Sequence, residues 1–335
     1  MLKIGVLGVG HLGRIHVKCI NLVPNLELVG FFDPNDANAA KITAAYKIQR
    51  FDSVDKLLDA VDAVDIVTPT ITHFELAKQA ISKGKHVFIE KPITEKPEQA
   101  KALLELVKEH QVKVQVGHVE RFNPAMLALK EENLNPMFIE VHRLATFNPR
   151  GTDVSVVLDL MIHDLDIILN IVKSPVKHVH ATGVAVVSYT ADLSNARIEF
   201  ENGCVANVTA SRLSMKQMRK VRLFQNDGYI SLDFLDKKAE IISLHDISEK
   251  EKLGDIPVLE IETAKGQKLI KMDMPKVEPV NAIQMELATF TESVLNNKTP
   301  KVTLEDGYRA LDLAYQISEI IEQKNKEFIT VNSVE

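Results

Sequence analysis

Residues 2–13 read LKIGVLGVGHLG, and an acid, Asp33, stands twenty residues after the last glycine of that run. Leu2 to Leu7 is an apolar run, the pattern of a buried strand. Gly8, Gly10 and Gly13 follow with G-x-G-x-x-G spacing, and His11 to Val23 reads as a helix. A second apolar run, Leu26 to Phe32, ends at Asp33. Each part has a job in dinucleotide binding. Gly8 permits a tight turn, Gly10 lets the backbone approach a pyrophosphate, and Gly13 lets helix and strand pack closely. The amides of the first helical turn, at His11 and Leu12, then face the phosphates. Asp33 is placed to accept hydrogen bonds from the adenosine ribose. It would repel a 2′-phosphate, and Pro34-Asn35 offer no arginine to receive one, so NAD is the expected cofactor.

At 335 residues the chain is long for one core, and two domains are expected. The net charge is −6 and no basic tract stands out, so neither nucleic acid nor an anionic membrane surface is expected as a partner. The first strand pattern begins at residue 2, and no apolar run reaches the length of a membrane span. No signal peptide is therefore expected, and the expected location is cytoplasmic. Cys19 and Cys204 stand alone, which predicts reduced core residues.

From residue 1 to 121, strand and helix patterns alternate. The strand-like runs are Leu2–Leu7, Leu26–Phe32, Ala63–Thr68, Val87–Glu90 and Val112–Val116. This alternation predicts an α/β domain with a doubly wound parallel sheet, with ligand-binding loops at the carboxyl ends of its strands. From 122 to 335 the rhythm changes. A short helix over 123–133, a strand over 137–147 and a long helix over 155–173 precede strand-like runs at 177–189, 194–201, 204–213, 218–225, 229–234, 239–245 and 258–271. Turn signals at Asn202-Gly203 and Asp227-Gly228 suggest hairpins. The expected second domain is α+β with a mainly antiparallel sheet, closed by helices over 281–297 and 304–324.

Several constellations can carry chemistry. Glu90-Lys91-Pro92 follows a buried strand pattern, which puts Lys91 at the rim of the ligand crevice; the alternative is a surface lysine after a strand. In DLMIHDLDIILN, residues 159–170, spacings of four, three and four align Asp159, His163, Asp166 and Asn170 on one helix face. That face holds only short polar groups among apolar neighbours, as in a helix lining a cleft. Asp159 can orient the His163 imidazole for proton transfer, and the alternative is a carboxylate–histidine pair kept for stability. His and Asp are also metal ligands, but no second His or Cys stands at ligand spacing, so no metal is expected. Thr68-Pro69-Thr70 with His73 can cover the cofactor, or can be a Pro-marked helix start with Thr72 as cap. Arg121 and Asn123 can reach the nicotinamide or the substrate; alternatively Asn123 caps the helix that begins at Pro124. Arg150 lies in a Gly- and Pro-marked loop before the long helix. It can hold a substrate phosphate or ring hydroxyls, or be an exposed loop arginine.

With these segments in view, the chain resembles the glucose–fructose oxidoreductase / inositol dehydrogenase (Gfo/Idh/MocA) family. The resemblance is carried by GVLGVGHLG at the start, VTPTITH at 67–73, IEKPIT at 89–94, ERFNP at 120–124, DLMIHDLD at 159–166 and EDGYRALDLAY at 305–315. It implies a Rossmann domain followed by an open-faced antiparallel sheet domain, and a catalytic trio of Lys91, Asp159 and His163. It further implies a cis bond before Pro92 and a homodimer or homotetramer formed through the sheet. One departure is the absence of glycine before Asp159, where Val154-Ser155-Val156-Val157-Leu158 stands. VGHVERFNPA and FNPRGTDVSVVLDLMIHDLDI look most like members acting on UDP-sugars. The implied activity is NAD-dependent oxidation of a secondary hydroxyl on a sugar ring. A free cyclitol as substrate, reduction of a carbonyl or imine, and a non-catalytic NAD(H)-sensing role on the same fold are the alternatives.

Overall fold

The computed structural model describes residues 1–129, 132–148, 154–253 and 257–332. They form two compact units, Met1–Phe122 with Val280–Asp312, and Asn123–Pro279 with Leu313–Glu335.

In the first unit strands and helices alternate: β1 (Leu2–Leu7), α1 (His11–Ile20), β2 (Leu26–Phe32), α2 (Asp36–Tyr46), β3 (Gln49–Arg50), α3 (Val54–Ala60), β4 (Ala63–Ile66), α4 (His73–Ser82), β5 (His86–Glu90), α5 (Pro97–His110) and β6 (Val114–Gly117). The sheet order is β3-β2-β1-β4-β5-β6, with every pair parallel. This is the doubly wound order in which the strand sequence reverses between β1 and β4, opening a crevice at their carboxyl ends. Local chemistry starts the helices. The Asn35 side chain accepts the Asn38 amide at 3.0 Å to cap α2, and Ser53 accepts that of Lys56 at 3.3 Å to cap α3. Pro97 opens α5, where its missing N–H costs nothing.

The second unit contains α6 (Pro124–Leu127), β7 (Phe138–Leu144), α7 (Ile162–Val172), β8 (Val176–Val184), β9 (Leu193–Phe200), β10 (Val205–Ser211), β11 (Met218–Phe224), β12 (Gly228–Asp233), β13 (Lys238–Asp246), β14 (Val258–Thr263) and β15 (Gly266–Asp273). Its nine strands run β14-β15-β13-β12-β11-β7-β10-β9-β8. All neighbours are antiparallel except β7 and β10. Alternation decides which face is buried: Ile139 and Val141 of β7, Val208 of β10 and Ile198 of β9 point inward, where Leu165 and Ile168 of α7 are also buried. Two helices close the chain, α8 (Ala282–Leu295) and α9 (Leu304–Asn332).

Three expectations are corrected. A division at 121/122 assigns everything later to the second domain, but 280–312 belongs to the first unit. The reason is burial: Leu287 and Phe290 of α8 enter the core formed by Val17, Ile20 and Phe88, and the rings of Phe88 and Phe290 meet edge-on at 5.9 Å. Gln115 of β6 also donates to the Glu286 carbonyl at 2.6 Å. The single strand over 258–271 is two, β14 and β15, because Gly266 takes φ +97° and closes a hairpin there. The helix over 155–173 begins with a π-helical turn, Val157–Met161, before α7. An extra residue is thus looped into the turn that carries Asp159, a distortion common at functional sites. Cys19 and Cys204 are free and buried. No helix of the described residues is long and apolar enough to cross a membrane.

Beyond β8 the chain turns on a single carboxylate. Asp192 Oδ2 accepts the amides of Val186, Val187 and Ser188 at 2.7, 2.8 and 3.1 Å, and Oδ1 accepts the Ser188 hydroxyl at 2.6 Å. Burial opposes the charge, but these donors outweigh it and lower the Asp192 pKa to about 2. Because the folded value lies below the unfolded one, the stabilisation is complete above pH ~4 and is lost as pH falls toward ~2. Asp192→Ala is expected to cost about 2 kcal/mol at neutral pH, near 1.4 kcal/mol per unit of depression. Denaturant titrations of both proteins at falling pH should show the gap closing below pH ~4; a gap independent of pH would remove the carboxylate from this role.

Candidate active site

The turn after β1 is built by close approach. A Cβ on Gly13 would sit 2.1 Å from the Gly8 carbonyl oxygen, so no other residue fits there. Gly8 has φ +88°, and a Cβ on it would lie 2.9 Å from the Val67 carbonyl oxygen. Gly10 differs from both, because a Cβ there would have nothing within 4 Å. Its bare backbone opens onto free space at the N-terminus of α1, where His11 and Leu12 are exposed. A pyrophosphate approaching that backbone could be met by the amides of the first helical turn. Asp33, at the end of β2, is buried with both oxygens engaged: Oδ2 accepts the Val9 amide at 2.8 Å and Oδ1 that of Asn35 at 2.7 Å. The carboxylate is thereby locked over the glycine turn. These features fit an NAD molecule, with Gly8, Gly10, Gly13 and the first turn of α1 at the pyrophosphate and Asp33 at the adenosine ribose.

Sequence reading missed an arginine here. Arg50 on β3 donates to the Asp33 carbonyl at 2.9 Å and pairs with Asp36 at 2.8 Å. It is distant in sequence, and only the pairing of β3 with β2 brings it close. Its guanidinium is already balanced by Asp36.

The loops after β4 and β5 are tied together. Thr68 and Thr70 are half-buried and Pro69 is exposed. The Thr72 hydroxyl does not cap α4; it donates to Thr68 Oγ1 at 2.7 Å or to the Pro69 carbonyl at 2.8 Å. His73 is buried, with Nε2 at 2.9 Å from the Thr68 carbonyl and Nδ1 at 2.8 Å from that of Pro92. Burial lowers its pKa, against the two carbonyls, which favour the charged ring. His73 is thus a strut between the two loops, with both ring nitrogens turned to backbone. The Lys91–Pro92 bond is cis. Lys91 is half-buried at the carboxyl end of β5, next to the buried Glu90. Arg121 is also buried in this unit, its Nη2 3.7 Å from Asp306 Oδ1.

The second unit carries the remaining candidates. Asn123 takes the capping alternative: Oδ1 accepts the Ala125 amide at 3.1 Å, and Nδ2 donates to the Phe234 carbonyl at 3.0 Å. Asp159, in the π-helical turn, and His163, in the first turn of α7, are both half-buried. Asn170 is half-buried on the same face, and Asp166 is buried. The helix start is held by the Val156 amide on the Ala191 carbonyl at 2.9 Å and by Arg212 on the Val154 carbonyl at 2.5 Å. Directly beside His163, Asp164 accepts Arg143 through two 2.8 Å bonds, a buried bidentate pair that fastens α7 to β7. Sequence reading missed this pair, since nothing local marks Arg143. Arg150 lies outside the described residues.

Residues 2–118 match the family model described as "Oxidoreductase family, NAD-binding Rossmann fold", and residues 140–231 match that of the "GFO/IDH/MocA C-terminal domain". The chain belongs to the Gfo/Idh/MocA oxidoreductase family. As a member of that family it is an NAD-dependent oxidoreductase. It is 42% identical over 241 residues to the UDP-N-acetylglucosamine 3-dehydrogenase of Acidithiobacillus ferrooxidans, covering 72% of this chain and 76% of that one. Against the scyllo-inositol 2-dehydrogenase (NAD(+)) of Bacillus subtilis the identity is 31% over 320 residues, covering 90% and 88%. A solved structure of UDP-N-acetylglucosamine 3-dehydrogenase from A. ferrooxidans superimposes with a TM-score of 0.86 at 34% identity, covering 96% of this Gfo/Idh/MocA chain and 98% of the other.

The Asp33 lock generates a cofactor prediction. A carboxylate held by two backbone amides cannot swing away from a 2′-phosphate, and Arg50 is balanced by Asp36. NAD should exceed NADP in kcat/KM by about tenfold or more, the ratio set by a like-charge contact of ~1.4 kcal/mol. Rates with both cofactors in one buffer check this. Equal efficiency would mean that Asp33 does not face the ribose.

Proposed function

We propose that the protein oxidises a secondary hydroxyl on the ring of a nucleotide sugar, at C3 of a UDP-N-acetylhexosamine. The observation that carries the reading is its 42% identity to the A. ferrooxidans UDP-N-acetylglucosamine 3-dehydrogenase. The chemistry of Lys91, Asp159 and His163, the trio that the family resemblance implies, supports it. His163 takes the proton of the reacting hydroxyl. Lys91 donates a hydrogen bond to the same oxygen and favours the alkoxide charge that develops there. Asp159 orients the imidazole. A bound NAD would supply the hydride acceptor for the carbon that bears the reacting hydroxyl; loss of that hydride and of the hydroxyl proton balances the formation of a ketone. Thr68, Pro69, Thr70 and Glu90 line the cofactor loops, with His73 bracing them. Arg121 and Arg150 complete the proposed cofactor and substrate contacts, and Asn123 holds the start of α6 beside Arg121 in sequence. The same reading carries a cytoplasmic location and a homodimer or homotetramer formed through the nine-stranded sheet.

A second reading, oxidation of a free cyclitol, is favoured by the likeness to the B. subtilis scyllo-inositol enzyme. A screen of UDP-sugars and cyclitols with NAD, followed by nicotinamide absorbance, separates the two. UDP-N-acetylglucosamine is expected to yield NADH. Turnover of myo- or scyllo-inositol with none from any UDP-N-acetylhexosamine would replace the first reading with the second.

The assigned roles are tested by substitution. Lys91→Ala and His163→Ala should each lower kcat about 100-fold or more, the scale of positioned acid–base groups. Asp159→Asn should have a milder or comparable effect. Calorimetry should show that His163→Ala still binds NAD. Near-normal kcat in either alanine variant would remove that residue from the chemistry.

A further inference from the structure

Four ionisable side chains of the first unit meet inside its core. His16 on α1, Asp65 in the middle of β4 and Glu286 on α8 are fully buried, and Glu90 at the end of β5 is nearly so. His16 Nδ1 lies 2.9 Å from Asp65 Oδ2, and its Nε2 lies 3.2 Å from Glu90 Oε1. One nitrogen or oxygen each from His16, Glu90 and Glu286 lie within 4.8 Å of one another. Both Glu286 carboxyl oxygens are buried without a hydrogen-bond partner among the described residues, as is Asp65 Oδ1. The Glu90 carboxyl is pressed against the backbone of β6, where a Cβ on Gly117 would fall 2.6 Å from its Oε1.

Fully ionised, these groups would place three negative charges and one positive charge where water is excluded, at a high desolvation cost. Protons reduce that excess of negative charge. Burial disfavours a charged His16, but Asp65 and Glu90 outweigh it and raise its pKa well above the usual value. Burial, followed by the Glu90 carboxylate, pushes Glu286 well above the carboxylate range, against His16. Burial also raises Asp65, against His16. These directions favour an imidazolium at His16, facing Asp65 and Glu90, and a protonated Glu286, which would have one O–H to donate. The groups facing Glu286 are His16 and Cys19 from α1, Asp65 from β4 and Glu90 from β5. Glu90 is the acceptor that adjoins Lys91 in the chain.

We propose that Glu286 is a positioning residue: as a neutral acid it donates a hydrogen bond to the Glu90 carboxylate and so fixes the end of β5 from which Lys91 projects. The two carboxyl groups lie no more than 4.8 Å apart, and the hydrogen bond requires the Glu286 side chain to turn toward Glu90. The inference rests on the role proposed for Lys91. A divalent cation is the competing occupant, because His16, with Nδ1 held by the Asp65 carboxylate, has the form of a metal-ligating histidine oriented by an acid on its other nitrogen. That alternative needs Glu286 ionised, and the two therefore differ in what a carboxamide can replace.

The experiment compares wild type, Glu286→Gln, Glu286→Ala and Lys91→Ala in kcat, KM for NAD, infrared spectrum and metal content. Glu286→Gln should keep kcat within about threefold, because its amide N–H still donates to Glu90. Glu286→Ala should lose about tenfold or more in kcat with little change in KM for NAD, the pattern of a lost transition-state arrangement. A carbonyl band of a protonated carboxylic acid should be present in the wild type at neutral pH and absent from Glu286→Gln. Three results would overturn the proposal. Glu286→Ala could fall in melting temperature while keeping full kcat, which marks a purely structural group. Glu286→Gln could be as impaired as Glu286→Ala, which marks a needed charge. The purified protein could hold one equivalent of zinc or manganese that Glu286→Gln loses, which marks a cation site. If Glu286→Ala does not fold, the infrared band and Glu286→Gln decide. Full activity in Lys91→Ala would sink the role of Lys91 itself and leave the infrared band to report on the Glu286 proton.

Discussion

The first unit depends on how closely α1 approaches β1. A carbonyl oxygen at Gly8 occupies the space that any side chain at residue 13 would need. This contact sets the pitch of the helix, aims its amides at the open space over Gly10, and leaves Val9 where its amide can meet Asp33. Loosening it by one methyl group would disturb the turn, the helix end and the carboxylate together. Neither propensity nor hydrophobic burial supplies this requirement. It is steric, and it explains why two glycines five residues apart behave as one unit.

The second unit solves a different problem. Its helix α7 is apolar apart from His163, Asp164, Asp166 and Asn170, and burial of the apolar residues alone would let it slide along the sheet. The bidentate bond between Arg143 and Asp164 adds direction to that packing. A buried ion pair of this kind contributes little net stability, but breaking it leaves an unpaired charge and costs roughly 3–5 kcal/mol. Register is therefore defined at the residue next to His163. The π-helical turn upstream, with its start held by Ala191 and Arg212, performs the corresponding service for Asp159.

Much of this was legible in the residues. The glycine spacing and the Asp33 offset describe a local loop, and local loops obey local rules. Period-two alternation in β7 and β9 to β13 likewise declares a half-buried sheet. The hairpin at Gly266 was missed because Thr263-Ala-Lys-Gly266 lacks a strong turn dipeptide. The return of α8 to the first unit was illegible because an apolar helix face does not state which sheet it covers. Arg50, Arg143 and Glu286 were missed for the same reason: each meets its partner across a long stretch of sequence. One signal was available and unused. Asp65 stands inside AVDIV, residues 63–67, and a charge in the middle of a strand buried on both faces must have a partner.

That α8 belongs to the first unit has a consequence for biosynthesis. The parallel sheet is complete in sequence at Gly117, yet Phe88 and Ile20 still lack the cover that Leu287 and Phe290 provide. At ribosomal speeds of 5–20 residues per second, the interval between residues 117 and 290 lasts roughly 10–35 s. Throughout it the nascent first unit carries an open apolar patch while the whole nine-stranded sheet is being made. The chain must protect that patch from its own later strands, or borrow a chaperone to do so, until its last two helices emerge.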